Sequence, residues 1–231
     1  MTAILIIFAA SLSANLAFAV VHADIWVPIA ILVGWYFADL ASGVIHLYMD
    51  YRPCRSGVGF DDLYFYTGDR TSQHYQDLRR QVMAKVGPFE RLVYDFKNHH
   101  PRPDALGRRS MIVQIGSTVV AVTPLSLLLN LSCWVLSPPG WVIAGFVALM
   151  VGGTFAQYFH GTLHRDDNPT IIILMRRLGL LMSPAAHQKH HDSLKRDFAT
   201  NNGWSNPVIN PVFRLLYRHG WLTDAGLEPT G

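Results

Sequence analysis

Eleven histidines are spread through 231 residues, and eight of them fall where they could act together. "AAHQKHHDS" sets His187, His190 and His191 within five residues, and "YFHGTLHR" sets His160 and His164 four apart. "FKNHHPRP" makes His99 and His100 adjacent, and "SGVIHLYMD" carries His46. Spacings of three and four residues place side chains on one face of a helix. A buried imidazole needs partners for both ring nitrogens, so a crowd of them calls for an explanation. Taken singly, each cluster has a plain one. His46 could sit at a membrane interface, the adjacent pair could be a loop before "PRP", and His160 and His164 could suit a helix C-terminus. Together they point to a metal site, because imidazole is a ligand for zinc, copper, iron and nickel.

The elements that must position these residues are apolar and long. Half the residues are hydrophobic and 15% are charged, against about 25% in soluble domains. The mean hydropathy is +0.20. Four runs, over about 2–21, 25–48, 111–136 and 141–160, approach or exceed the roughly 20 residues that cross a bilayer as a helix. Nothing basic precedes the first run and it is long for a signal peptide, so a retained helix is expected there. The expected fold is all-α: one domain over 1–231, with four transmembrane helices and a histidine-rich cap from 51–110 and 161–231.

All 19 Lys and Arg residues fall in those two cap segments, eleven in the first and eight in the second. The positive-inside rule then puts both segments, both termini and the eight clustered histidines on the cytoplasmic side. The formal net charge of +3 follows the membrane edges and calls for no nucleic-acid partner. Cys54 and Cys133 are expected on opposite sides, which excludes a disulfide between them.

Eight imidazoles exceed the four ligands of a structural zinc or the three of a catalytic one, and there is no "HExxH". They suit two metal ions with positions left open. Two irons of that kind can activate dioxygen and attack an unactivated C–H bond, a chemistry suited to a chain entering from the bilayer.

The boxes "HxxxH" and "HxxHH", with "ADLASGVIHLYMD", "FKNHHPRP" and "FATNNGWSNP", resemble the Kua-type lipid desaturase family over about residues 35–215. That family includes plasmanylethanolamine desaturase and a plastid enzyme acting on phosphatidylglycerol. The resemblance implies a di-iron, oxygen-dependent desaturase. His46, His99, His100, His160, His164, His187, His190 and His191 would be its ligands, a membrane phospholipid or acyl lipid its substrate. Two stretches depart from the pattern. Residues 57–86 look like an insertion, and Arg109 in "GRRSM" stands where the family has a histidine.

Asp39, within an apolar run, and Asp50, four residues after His46, are candidates to orient an imidazole from behind. Asn201 and Asn202 could contact a metal through water, or a lipid headgroup. "TIIILMRRLGLLM" (170–182) reads as an interfacial helix with arginines toward phosphates, at a substrate entrance. No "HPGG" of a fused cytochrome b5 domain is present, so electrons are expected from a separate donor, cytochrome b5-like or ferredoxin-like, docking on the basic segment. Two other readings stand: a di-iron lipid or fatty acid hydroxylase, and a membrane metal transporter. A transporter would hold its ligands near the bilayer midplane rather than at one edge.

Overall fold

A computed structural model describes residues 1–230, and every regular element among them is helical. In chain order these are α1 (Thr2–Val21), α2 (Val27–Tyr51), α3 (Phe60–Tyr64), α4 (Gln73–Ala84), α5 (Pro88–His99) and α6 (Asp104–Gly107). There follow α7 (Met111–Leu136), α8 (Gly140–Thr162), α9 (Thr170–Arg177), α10 (Pro184–Ser193) and α11 (Asn206–Arg218). α1, α2, α7 and α8 are long and apolar enough to cross a membrane. The chain is an integral membrane protein with four such spans. The second span begins later than the apolar run, because the Asp24 side chain turns the chain by accepting from the Trp26 amide at 2.8 Å. It also runs on to Tyr51, which draws Asp50 into the helix, one turn beyond His46.

α2 and α8 form the most extensive helix pair, running parallel. Small residues allow it: a Cβ on Gly34 would lie 2.1 Å from the Gly145 carbonyl oxygen, and one on Gly152 would lie 2.5 Å from Cβ of Ala38. Close backbone approach is how apolar helices gain contact where water gives no driving force. α1 and α7 pack on α8 and on each other. α1 is tied in by a polar cluster, with Ser11 and Ser126 hydroxyls 2.7 Å apart and the Asn15 amide donating to the Ser126 carbonyl at 3.0 Å. Such bonds hold helices together in lipid at modest individual worth.

The remaining helices gather at one end of the bundle. Residues 57–86, the apparent insertion, build α3 and α4 and an apolar core beneath α5. Phe60 stacks on Tyr94 at 4.8 Å, with Leu63, Tyr75, Val82 and Val93 buried around them. The insertion therefore braces the helix that ends in His99.

The 170–182 stretch departs from expectation. Its helix stops at Arg177, followed by Gly179 at φ +71°, a conformation that favours glycine. Arg176 turns inward and donates to the Thr162 carbonyl at 2.8 Å, while Arg177 stays exposed. Trp35 Nε1 donates to the Leu180 carbonyl at 2.9 Å, drawing this segment against α2.

Candidate metal centre

Each histidine box is held by a local device. Ser183 caps α10, its hydroxyl accepting from the Ala186 amide, and Pro184 occupies the first turn, so "HQKHH" follows in helical register. Gly87 precedes α5 without a side-chain cap and Pro88 occupies its first turn, which sets His99 at the helix end and His100 just past it. His46 lies near the end of α2 and His160 near the end of α8, and their rings are 4.8 Å apart.

The eight clustered histidines meet and sort into two groups. His99, His160, His164, His187 and His191 form one; His46, His100, His190 and the Asp50 carboxylate form the other. Within each group the candidate ligand atoms lie within 4.8 Å of one another. His22, His74 and His219 are exposed and belong to neither.

The polar atoms facing these centres lack partners. Nε2 of His46, His99, His100, His164 and His190, and both Asp50 oxygens, are buried without a hydrogen bond. Nε2 of His187 lies 3.0 Å from Nε2 of His160 and 3.1 Å from that of His191. So many orphaned buried atoms converging on two points would be costly unless cations sat between them. The residues fit two metal ions. The donor set, eight imidazoles and one carboxylate, suits iron among other borderline metals.

On three of the rings the opposite nitrogen is fixed from behind. Nδ1 of His46 lies 2.9 Å from the Phe198 carbonyl and Nδ1 of His190 lies 2.9 Å from the Arg196 carbonyl; Nδ1 of His99 bonds the Phe96 carbonyl. Each carbonyl selects the tautomer that leaves Nε2 a free lone pair. Burial holds His99, His100 and His187 well below the ordinary imidazole range, and neighbouring histidines add to it. The same causes bring His164 down to about 3 and His191 to about 4. These rings stay neutral and ready to coordinate.

The acids and amides named from the sequence occupy different places. Asp50 does not back a ring: its oxygens face Nε2 of His46 and His100 at 3.4 Å and of His190 at 3.3 Å, the positions of a direct ligand. Asp39 does not reach His46. Fully buried, it accepts from the amides of Asn202, Gly203 and Ser205 and from the Ser205 hydroxyl, at 2.7–3.0 Å. It thereby pins the turn that leads into α11. Asn201 belongs to the same frame, its side-chain Nδ2 donating to the Gly152 carbonyl at 3.1 Å and its backbone carbonyl accepting from the Met182 amide at 2.7 Å. The Asn202 side chain accepts from the Trp204 amide at 3.0 Å, closing a local turn.

Sequence reasoning passed over Lys97. It is fully buried, and its Nζ donates to the carbonyls of Met49 at 3.1 Å and Asp50 at 2.6 Å, tying α5 to the end of α2. A lysine beside a histidine pair carries no signal of that in a single sequence.

A cavity of about 380 Å³ reaches the site from the side. α8 forms its floor, α2 and α7 its walls, and Leu92, Phe96 and Leu106 its roof, with His46 and His160 at the inner end. The lining residues Ile45, Val113 and Ala121 are exposed on the outside of the bundle, so the cavity is a lateral cleft. α9 contributes nothing to it, contrary to the entrance expected there.

The model of the lipid desaturase domain family matches residues 84–218, more than half of the chain. The chain belongs to that family. The lipid desaturase match takes in seven of the eight clustered histidines and leaves His46 and Asp50, on α2, outside it. The chain is also 24% identical over 195 residues to a plasmanylethanolamine desaturase of Myxococcus xanthus, an alignment covering 83% of this chain. It spans 59% of the length of that relative. No solved structure matches.

Proposed function

We propose that this protein is an oxygen-dependent membrane lipid desaturase. In this reading the two histidine groups hold two irons, and a double bond is introduced near the headgroup end of an alkyl or acyl chain. The observation that carries it is the lateral cleft ending on His46 and His160, one from each ligand group. A lipid chain can enter such a cleft without leaving the bilayer, and its first carbons come nearest the ligands at the end of the bundle. The family membership and the desaturase relative point the same way.

Bound irons would supply dioxygen activation and hydrogen abstraction from carbon. The chain's own residues do the rest. Ile45, Met49, Leu92, Phe96 and Ala156 shape an apolar channel for a hydrocarbon, and Nδ1 contacts to backbone carbonyls hold the ligand rings in place. The overall reaction removes two hydrogens from the lipid, takes two electrons one at a time from a donor protein and two protons from solvent, and reduces dioxygen to two waters. The donor is a separate cytochrome b5-like or ferredoxin-like protein. In this reading the histidine end faces the cytoplasm, which the distribution of Lys and Arg supports.

Purified protein reconstituted with iron, oxygen, a reducing system and an alkyl-acyl phosphatidylethanolamine should yield a lipid lighter by two hydrogens. A lipid heavier by one oxygen would make it a hydroxylase, which the same ligand set could support. Cysteine labelling of intact cells should reach residues placed at 137–140 and miss those at 185–195.

A further inference from the structure

We infer that Arg109 and the start of α7 form a phosphate-binding site at the mouth of the cleft, filled by the headgroup of the lipid whose chain lies inside. The inference rests on the lipid-desaturase reading above. Setting the metal-site histidines aside, Arg109 is the one charged side chain lining the cavity, which is otherwise apolar apart from hydroxyls and amides. A cation placed there needs a reason.

Its contact with Asp95 is not a sufficient one. Nη1 lies 2.8 Å from the Asp95 carboxylate and Nε donates to the Ala105 carbonyl at 3.1 Å, but both charged side chains remain partly exposed, at 31% and 23%. An ion pair of that exposure stabilises little. What the two contacts do is aim the guanidinium, which keeps further donors to offer.

Beside it begins a 26-residue helix whose first turn is unanswered. Ser110, the residue before α7, makes no side-chain capping bond, and there is no acid in the first turn. The first amides of a helix lack intrahelical partners and carry the positive end of its dipole, a combination that favours anions. Gln114 joins this corner to the cavity. It is 4% exposed, its Nε2 donates to the Arg109 carbonyl at 2.6 Å, and its buried Oε1 has no partner. A phosphodiester offers two free oxygens, one for the guanidinium and one for the helix amides. The unpartnered Oε1 can accept from a hydroxyl or ammonium group of the same headgroup. Headgroup binding here would hold the adjacent chain carbons toward His46 and His160.

The test is a binding measurement that needs no turnover. Thermal stability of the full-length protein in detergent is titrated with three probes: an alkyl-acyl phosphatidylethanolamine, the alkyl-acyl glycerol lacking the phosphate, and inorganic phosphate. Wild type should be stabilised at lower concentrations by the phospholipid than by the neutral lipid. Arg109→Gln should weaken the phospholipid about tenfold or more while the neutral lipid is unaffected, since a hydrogen bond to a charged group is lost. Arg109→Lys keeps the charge and serves if the glutamine variant does not fold; it should lose affinity for the phospholipid alone. Equal losses for both lipids, or none, would overturn the proposal. Stabilisation by inorganic phosphate with no preference between the lipids would overturn the headgroup assignment. A phospholipid that binds through Arg109 but is never desaturated would instead sink the enzymatic reading.

Discussion

His99 and His100 are neighbours in the chain, with rings 4.2 Å apart, yet they face different ligand groups. His190 and His191 divide in the same way. Successive residues on a helical turn point about 100° apart, so a doubled histidine at a helix end straddles two centres. Each "HH" pair therefore contributes one ring to each of the two ligand groups.

That arrangement predicts separable losses. His100→Ala or Asp50→Asn should deplete the four-membered group, and His99→Ala the five-membered one. Each should cost about a hundredfold or more in lipid conversion. Metal analysis of the purified variants against wild type checks the first point, and product analysis the second. His74→Ala and His219→Ala, both exposed, should match wild type in both.

Lys97→Met should loosen the junction of α5 and α2. The Met49 and Asp50 carbonyls would lose their donor inside the protein, at about 1–3 kcal/mol. The measurements are the thermal midpoint and metal content, and both should fall. Metal content unchanged from wild type would leave Lys97 with a role in packing alone.

Asp39→Ala should destabilise by about 3 kcal/mol or more, because it strands the half-buried amides of Asn202 and Gly203 and the buried amide and hydroxyl of Ser205. Proteolysis near 200–206 should quicken, as the turn into α11 comes free.

Gly153 lies in the cleft, and a Cβ there would meet nothing within 4 Å. Gly153→Phe should accordingly fold and keep its metals while filling the channel. Conversion of long-chain lipids should drop about tenfold or more, as a misplaced substrate does in other enzymes. Metal content and elution in size exclusion should match wild type.

The metal-free protein should be acid-labile. In the folded chain His99, His100, His164, His187 and His191 titrate below the unfolded value of about 6.5, with His164 near 3 and His191 near 4. Above that value folded and unfolded chains are both neutral and the stability is fully present. As pH falls below it, the unfolded chain takes up protons that the folded rings refuse, so stability drains away toward pH 3–4. Thermal midpoints of chelator-treated protein across that range measure it. A flat profile would contradict the burial of these rings.

The four spans were legible because the bilayer imposes a length and a polarity that each segment must meet by itself. The runs at 2–21 and 111–136 became helices with those bounds. The histidine clusters were legible too, since spacings of three and four are local facts. Which ring faces which centre was not. That depends on how α2, α5, α8 and α10 are rotated and how deeply they sit, and those are set by contacts far apart in sequence, such as Gly34 against Gly145. The same contacts turn Asp50 toward the imidazole lone pairs and leave Asp39 facing residues 202–205. Two carboxylates on one helix thus have unlike tasks, and nothing in their spacing from His46 distinguishes them. The cleft belongs to the same level, because it is the space left between α2 and α7 where both pack on α8.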